Sequence, residues 1–174
     1  MTDRELVKRI KQGEKECFEE LISRYYDDIY RLCCFKTGSL QLSYDLTQST
    51  FLKLIKYIDA YEHREKFKSY LFSIAVNVCN DYFKENRTIP ISDINLPQDT
   101  PEDFTGKIEN SVRLEGLLKQ LPEKQRDAVI LRYYNDMKIK DIARVLGEKV
   151  PTIKSRIRQG IQKLSVLLSQ EEEV

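Results

Sequence analysis

Three absences narrow what this chain can do. It has one histidine, His63, and its four cysteines, Cys17, Cys33, Cys34 and Cys79, form no C-x-x-C pair. A structural zinc site needs four Cys or His ligands at close spacing. No metal is therefore expected, and the thiols read as buried apolar groups in a reducing compartment. The motifs G-x-S-x-G, H-E-x-x-H and G-x-x-x-x-G-K-[ST] are missing as well. That argues against the common enzyme classes and leaves no cofactor signature. Long hydrophobic runs are also lacking. The longest charge-free stretch, residues 69–80, has 12 residues, against roughly 20 for a membrane span. The start, MTDRELVKRIK, carries no apolar signal region, so a cytoplasmic protein is expected.

What is present is a chain of 174 residues, 41% hydrophobic and 33% charged. That is enough apolar content for a core, in one domain or two small ones. The net charge of +1 hides an asymmetry. Residues 88–112 hold one lysine against five acids, whereas residues 113–170 hold 13 bases against six acids. A basic C-terminal half behind an acidic segment is the pattern of a nucleic-acid binder.

Residues 88–106, TIPISDINLPQDTPEDFTG, contain three of the five prolines. Proline removes a backbone donor and turns its predecessor away from helix. This segment reads as a flexible linker dividing the chain into domains at 1–87 and 107–174. Extended, it reaches at most about 60–65 Å, or about 18 base pairs of duplex.

Both halves read as helical. Phe18, Leu21, Ile22, Tyr25, Ile29, Leu32 and Cys33 fall on one helical face, and Gly38-Ser39 breaks that helix. Leu46, Phe51, Leu54, Ile55 and Ile58 form the apolar side of a second helix. Phe67, Leu71, Ile74, Ala75, Val78, Cys79, Tyr82 and Phe83 form that of a third. With no sustained period-2 alternation, the fold class is all-α: two small helical domains joined by the linker. In the C-terminal one, Pro122 can open a helix. Residues 139–146 form a short helix closed by Gly147. Pro151 opens a last helix, with Ile153, Ile157, Ile161, Leu164 and Leu168 facing inward. A short helix, a glycine turn and a longer basic helix make a helix-turn-helix.

That last helix carries Thr152, Lys154, Ser155, Arg156 and Arg158 at its N-terminal end, where a helix-turn-helix meets base edges in the major groove. Each residue turns a helix by about 100°. Lys154 and Arg158 therefore share a face toward the bases, and Arg156 lies toward the flank, on phosphate. Upstream, Tyr57, Tyr61, Phe67, Tyr70, Phe72, Tyr82 and Phe83 alternate with His63, Arg64, Lys66, Lys68 and Lys84. Rings beside bases suit single strands, although Phe67, Tyr82 and Phe83 also fit a core. Asn77 and Asp81 lie four apart on the opposite face of that helix, with Lys84. Residues 45–58 form an amphipathic helix that fits a partner protein or a solvated face.

In order, spacing and length, these segments resemble bacterial RNA polymerase sigma factors of the extracytoplasmic-function (ECF) type, and the resemblance covers almost the whole chain. ELVKRIKQGEKECFEELISRYYDDIYRLCCF looks like the family's first region, DLTQSTFLKLIKYI like its polymerase-binding helix and FKSYLFSIAVNVCNDYFKE like its −10 region. LEGLLKQLPEKQRDAVILRYY and TIKSRIRQGIQKL look like its −35 module. The resemblance implies a sigma factor, not itself an enzyme, that directs core polymerase to −10 and −35 promoter elements. Its expected partners are the polymerase beta-prime clamp and beta flap, promoter DNA and an anti-sigma factor. Carried over by position, Asp45, Leu46, Gln48, Phe51 and Lys53 contact the clamp. Residues 59–68 capture a flipped −10 base, and Tyr61, Arg64, Lys68, Asn77, Asp81 and Lys84 contact −10 DNA. Thr152, Lys154, Ser155, Arg156 and Arg158 contact −35 DNA. Tyr70 stands where the family usually has tryptophan, and Lys84 where it often has arginine.

Three other readings compete. A stand-alone helix-turn-helix regulator would bind duplex without polymerase. A small helical enzyme would use Asp45, or Asp81 with Tyr82. The sigma subclass that activates clostridial toxin or bacteriocin genes shares these motifs.

Overall fold

The computed structural model describes residues 1–64, 66–86 and 114–173. The expected linker, 88–106, lies outside the described residues. The described residues are helical with no strand, and they fall into two compact units.

The first unit holds α1 (Asp3–Lys11), α2 (Glu16–Thr37), α3 (Leu40–Tyr57), a 3-10 turn (Ile58–Ala60) and α4 (Phe67–Glu85). A reciprocal cap starts α1. Glu5 N–H donates to Thr2 Oγ1 at 3.3 Å, and Thr2 N–H donates to Glu5 Oε2 at 2.7 Å. The helix then buries Leu6, Val7 and Ile10. It is tied to α2 through Asp3, whose carboxylate accepts from Arg24 at 2.6 Å and from the Tyr25 hydroxyl at 2.5 Å. Burial and that acceptor push the Tyr25 phenol far above its usual range. Gly38 ends α2 in the left-handed region at φ 66°, a conformation that costs glycine little. Ser39 then caps α3, its Oγ accepting from Leu42 N–H. The break at Gly38-Ser39 is where the sequence puts it.

The inner side of α3 is not uniformly apolar. Ser43, Thr47 and Thr50 are fully buried beside Leu46, Phe51 and Leu54. Thr47 and Thr50 each donate to the carbonyl four residues back, at 2.7 and 2.8 Å, which satisfies both hydroxyls internally. Helix α4 packs on α3 and α2 through Phe67, Leu71, Phe72, Ala75, Val76, Val78 and Cys79. Ile55 departs from expectation: it is exposed, because the buried stripe of α3 runs through Leu54 to Ile58.

The second unit carries a helical stretch α5 (114–119), α6 (Glu123–Tyr133), most of α7 (Ile139–Leu146) and α8 (Val150–Glu172). Pro122 stands one residue before α6 as its N-cap, and Pro151 is the second residue of α8. Gly147 ends α7 at φ 64°, as expected of its left-handed cap. The core of this unit includes Leu117, Leu118, Leu121, Ala128, Ile130, Leu131, Ile153 and Leu164. Helices α6 and α8 cross closely at Gly160. A Cβ built there would lie 2.7 Å from Val129 Cγ2. Leu168 departs from expectation and is exposed. At 23 residues, α8 is about twice as long as the 11-residue α6 that packs on it.

Candidate nucleic-acid interface

In the first unit, the outward face of α3 presents Asp45 and Gln48, both exposed, with Gln41 donating to Asp45 at 3.4 Å. Tyr44 and Leu52 are exposed near them. Two of the residues expected to contact a partner here do not reach the surface. Leu46 and Phe51 are buried, and the Phe51 ring lies parallel to Tyr26 at a centroid distance of 6.1 Å. They are corrected to core residues that orient the helix. Their place on the α2-facing stripe forces this, Leu46 lying four residues from the buried Thr50 and Phe51 four from the buried Thr47.

Lys53, from the same helix, meets Asp81 of α4 at 3.8 Å. This contact bridges an open groove of about 400 Å³ lined by Lys53, Tyr57, Tyr70, Ile74, Asn77 and Asp81. Residues 70, 74, 77 and 81 are spaced by four, three and four, so α4 supplies one continuous stripe. The floor offers rings and an aliphatic side chain, and the rim offers an amide, a carboxylate and an ammonium. Such a groove can stack a planar ring and read its polar edge. Lys84 is exposed one turn further along α4.

The connection from α3 to α4 stands at one end of that groove. Tyr61 was expected on the DNA. Instead it is 3% exposed, packed against Tyr70 at 4.5 Å, Phe67 at 5.7 Å and His63 at 4.9 Å between centroids. It is corrected to the foundation of the connection, because three rings enclose it. Glu62, His63 and Arg64 are exposed above it, with Arg64 paired to Glu62 at 2.6 Å. Lys68 is partly exposed and pairs with Asp28 of α2 at 3.4 Å. Desolvation, then Arg4 and Lys11, hold the His63 imidazole below its ordinary pKa, so it is neutral at pH 7.

In the second unit, Lys154 and Arg158 are exposed on α8, and Thr152 and Ser155 are half-buried. Arg156 differs from expectation. Its guanidinium meets Glu148 at 3.0 Å, and its side chain is only 18% exposed. Glu148 also lies 3.7 Å from Lys124 of α6. The turn before α8 therefore holds Arg156 by an acid, while Lys149, Lys154, Arg158 and Lys163 stay exposed. Gln125 donates to Gln159 at 3.2 Å and joins α6 to α8. Glu148 lies eight residues before Arg156, in the turn that follows Gly147 and outside α8, where helical spacing says nothing. No helix is long and apolar enough to cross a membrane, and no cluster of metal-ligating side chains occurs among the described residues.

Residues 21–89 match the family described as Sigma-70 region 2, and residues 111–164 match Sigma-70, region 4. The ECF RNA polymerase sigma factor SigW of Bacillus subtilis (strain 168) is 26% identical over 172 residues, covering 91% of this chain and 92% of that protein. The ECF RNA polymerase sigma-E factor of Haemophilus influenzae is 29% identical over 171 residues, covering 90% of each. Among solved structures, CnrH in complex with the cytosolic domain of CnrY superposes with a TM-score of 0.79 at 23% identity, covering 97% of each chain. The sigma factor RpoE of Bartonella quintana, solved with the anti-sigma factor NepR, gives a TM-score of 0.70 at 22% identity. It covers 87% of this chain and 96% of that one.

Proposed function

This chain belongs to the sigma-70 family as an ECF factor, and on that premise we propose how its two halves divide the work of promoter recognition. It directs core RNA polymerase to specific promoters for transcription initiation. Residues 1–87 are the polymerase-binding and −10 half, 88–106 the linker, and 107–174 the −35 half. The chain itself supplies no catalysis, and it works in the cytoplasm, where the polymerase and the promoter are.

In the first half, Asp45, Gln48 and Lys53 lie outward on α3 and meet the beta-prime clamp, with Leu46 and Phe51 setting the helix from beneath. Asn77, Asp81 and Lys84 meet the −10 strand. Once the duplex opens, a base stacks over Tyr57 and Tyr70 while the amide and carboxylate take its polar edge. Arg64 and Lys68 flank that strand. In the second half, Lys154 and Arg158 address the −35 bases, and Thr152 and Ser155 address neighbouring base edges or phosphates. Arg156 holds the turn through Glu148. The region 4 half meets the beta flap. An anti-sigma factor covers the polymerase-binding face until transcription is required.

One observation carries the reading. A region 2 match and a region 4 match follow one another in a single chain, and each half presents an unoccluded polar face of the type its task needs. A stand-alone regulator has no use for the first half's groove. The test is transcription in vitro on genomic DNA with core polymerase, with and without this chain, mapping the start sites. New starts sharing −10 and −35 sequences are expected. An unchanged set of starts would refute the reading.

A further inference from the structure

The connection between α3 and α4 is held from an unexpected direction. The ammonium of Lys11, the last residue of α1, donates to the carbonyl of Asp59 at 2.9 Å and to that of Tyr61 at 2.7 Å. Those carbonyls belong to the middle residue of the 3-10 turn, Ile58–Ala60, and to the residue that caps it. A cation bridging two carbonyls makes charge-assisted bonds in a fixed direction. Tyr61, between these two anchors and the ring cluster, is locked on both its main chain and its side chain. The exposed tip, residues 62–64, follows at once, and its His63 ring leans on the fixed Tyr61 ring at 4.9 Å between centroids. Its Arg64 pairs with its neighbour Glu62, two residues away.

We propose that Lys11 is a positioning residue for promoter opening: it sets the height and direction of the tip at residues 62–64, and so presents Arg64 and His63 to the −10 strand. The inference rests on the reading of the first half as the −10 module. Lys11 touches no DNA. It acts through two backbone carbonyls, so its effect belongs to the opening step and not to polymerase binding or to −35 contact.

The sequence provides an internal reporter, because His63 is the only histidine and its imidazole signals are unique in a proton spectrum. The positive charge of Lys11 is one of the causes that hold this imidazole below its ordinary pKa. The variants are Lys11→Met, which keeps the aliphatic stem, and Lys11→Arg, whose planar fork can still donate to two carbonyls. The probe is a promoter fragment recovered from the transcription experiment above, in holoenzyme reconstituted with the full chain. Lys11→Met is expected to slow −10 opening about tenfold, read by permanganate reactivity. Core-polymerase affinity and closed-complex affinity should stay at wild-type values, while the unfolding midpoint falls modestly with the two lost carbonyl contacts. Its His63 signals should shift, and their titration should rise toward the ordinary histidine value. Lys11→Arg should restore most of the opening rate.

Wild-type opening by Lys11→Met, with the His63 signals displaced, overturns the inference. So do unmoved His63 signals, or a loss of core affinity in parallel with opening. If Lys11→Met does not fold, an opening rate in Lys11→Arg as slow as that of holoenzyme lacking a −10 contact (Asn77→Ala) overturns it too. Failure of the underlying reading is distinguishable, since the wild-type chain itself would then open no promoter.

Discussion

Glu148→Gln should make this protein bind duplex more tightly, the opposite of what loss of a charged residue near a binding helix usually does. Glu148 sits in the turn before α8 and holds Arg156 at 3.0 Å, with Lys124 at 3.7 Å on its other side. Residues 149–163 contain five bases and no acid, so Glu148 is the nearest acid ahead of that basic stretch and withdraws one of its cations. The substitution keeps the shape of the side chain and removes its charge. Arg156 is then released to a phosphate. Each phosphate neutralised steepens log K against log salt by about 0.9. Measured down from about 1 M salt, where counterion release contributes nothing, one added contact at ~0.1 M is worth about eightfold in affinity, or ~1.2 kcal/mol. The same change removes a partly exposed ion pair, which costs up to about 1 kcal/mol of stability. Affinity and stability should therefore move in opposite directions. The assay is fluorescence anisotropy with a −35 duplex at four or more salt concentrations, alongside urea unfolding. Glu148→Gln with Arg156→Ala should return the slope to the wild-type value. An unchanged or shallower slope in Glu148→Gln would refute the account, because Arg156 would then be no reserve cation on the DNA side. The same logic ranks the other cations: Lys154→Ala or Arg158→Ala should cost about 1–3 kcal/mol and relax −35 preference, with Arg156→Ala costing less.

Asp45→Ala with Gln48→Ala should weaken core-polymerase binding at least about tenfold while stability stays within about 0.5 kcal/mol. Pull-down and thermal melting together check it, and intact core affinity removes α3 from the interface. Tyr61→Ala should destabilise the first unit by about 3–5 kcal/mol, as truncation of a buried ring does. A chain that melts normally yet fails to open promoters would instead return Tyr61 to the DNA. Gly160→Ala places a methyl 2.7 Å from Val129 Cγ2. Overpacking of about 1–3 kcal/mol is offset by about 1 kcal/mol of helix propensity, so the net loss is small. Adding Val129→Ala should make the two changes non-additive, with the pair more stable than the separate losses sum to in urea titrations.

What could be read from the residues alone follows from how far apart the interacting groups lie. The helical stripes of α2 and α4 and the caps at Gly38, Ser39 and Gly147 are local properties, set within one or two turns. They are found where the spacing puts them, except on α4, where Ile74 lines the open groove, Tyr82 and Phe83 are half-buried, and Phe72 and Val76 join the core. The face of α3 was harder, because its inner side mixes Ser43, Thr47 and Thr50 with leucines. Threonine hydroxyls that bond back to their own helix can be buried, but they read as polar. Counting only apolar residues therefore turned the stripe and brought Ile55 inward. Spacing alone puts Leu46 and Phe51 on the apolar side; carry-over from the family resemblance put them on the docking surface, since a motif marks which helix binds and not which of its side chains face out.

The site residues that were misassigned or missed share one feature: their partners are remote in sequence or lie across a turn. Tyr61 sits in a stretch where rings alternate with bases, which fits strand binding, and only the fold shows the three rings around it. Lys11 reaches 48 and 50 residues along the chain to Asp59 and Tyr61. Glu148 and Arg156 meet across the break between α7 and α8. In each case the residue type was compatible with nucleic acid, and a contact within the protein claims it. The groove inverts this. Tyr57 and Tyr70 belong to the same ring-and-base stretch, and here Tyr57 is exposed and both line an open surface. An aromatic's role here is decided by whether a second element closes over it, and α3 and α4 diverge enough at Lys53 and Asp81 to leave this one open.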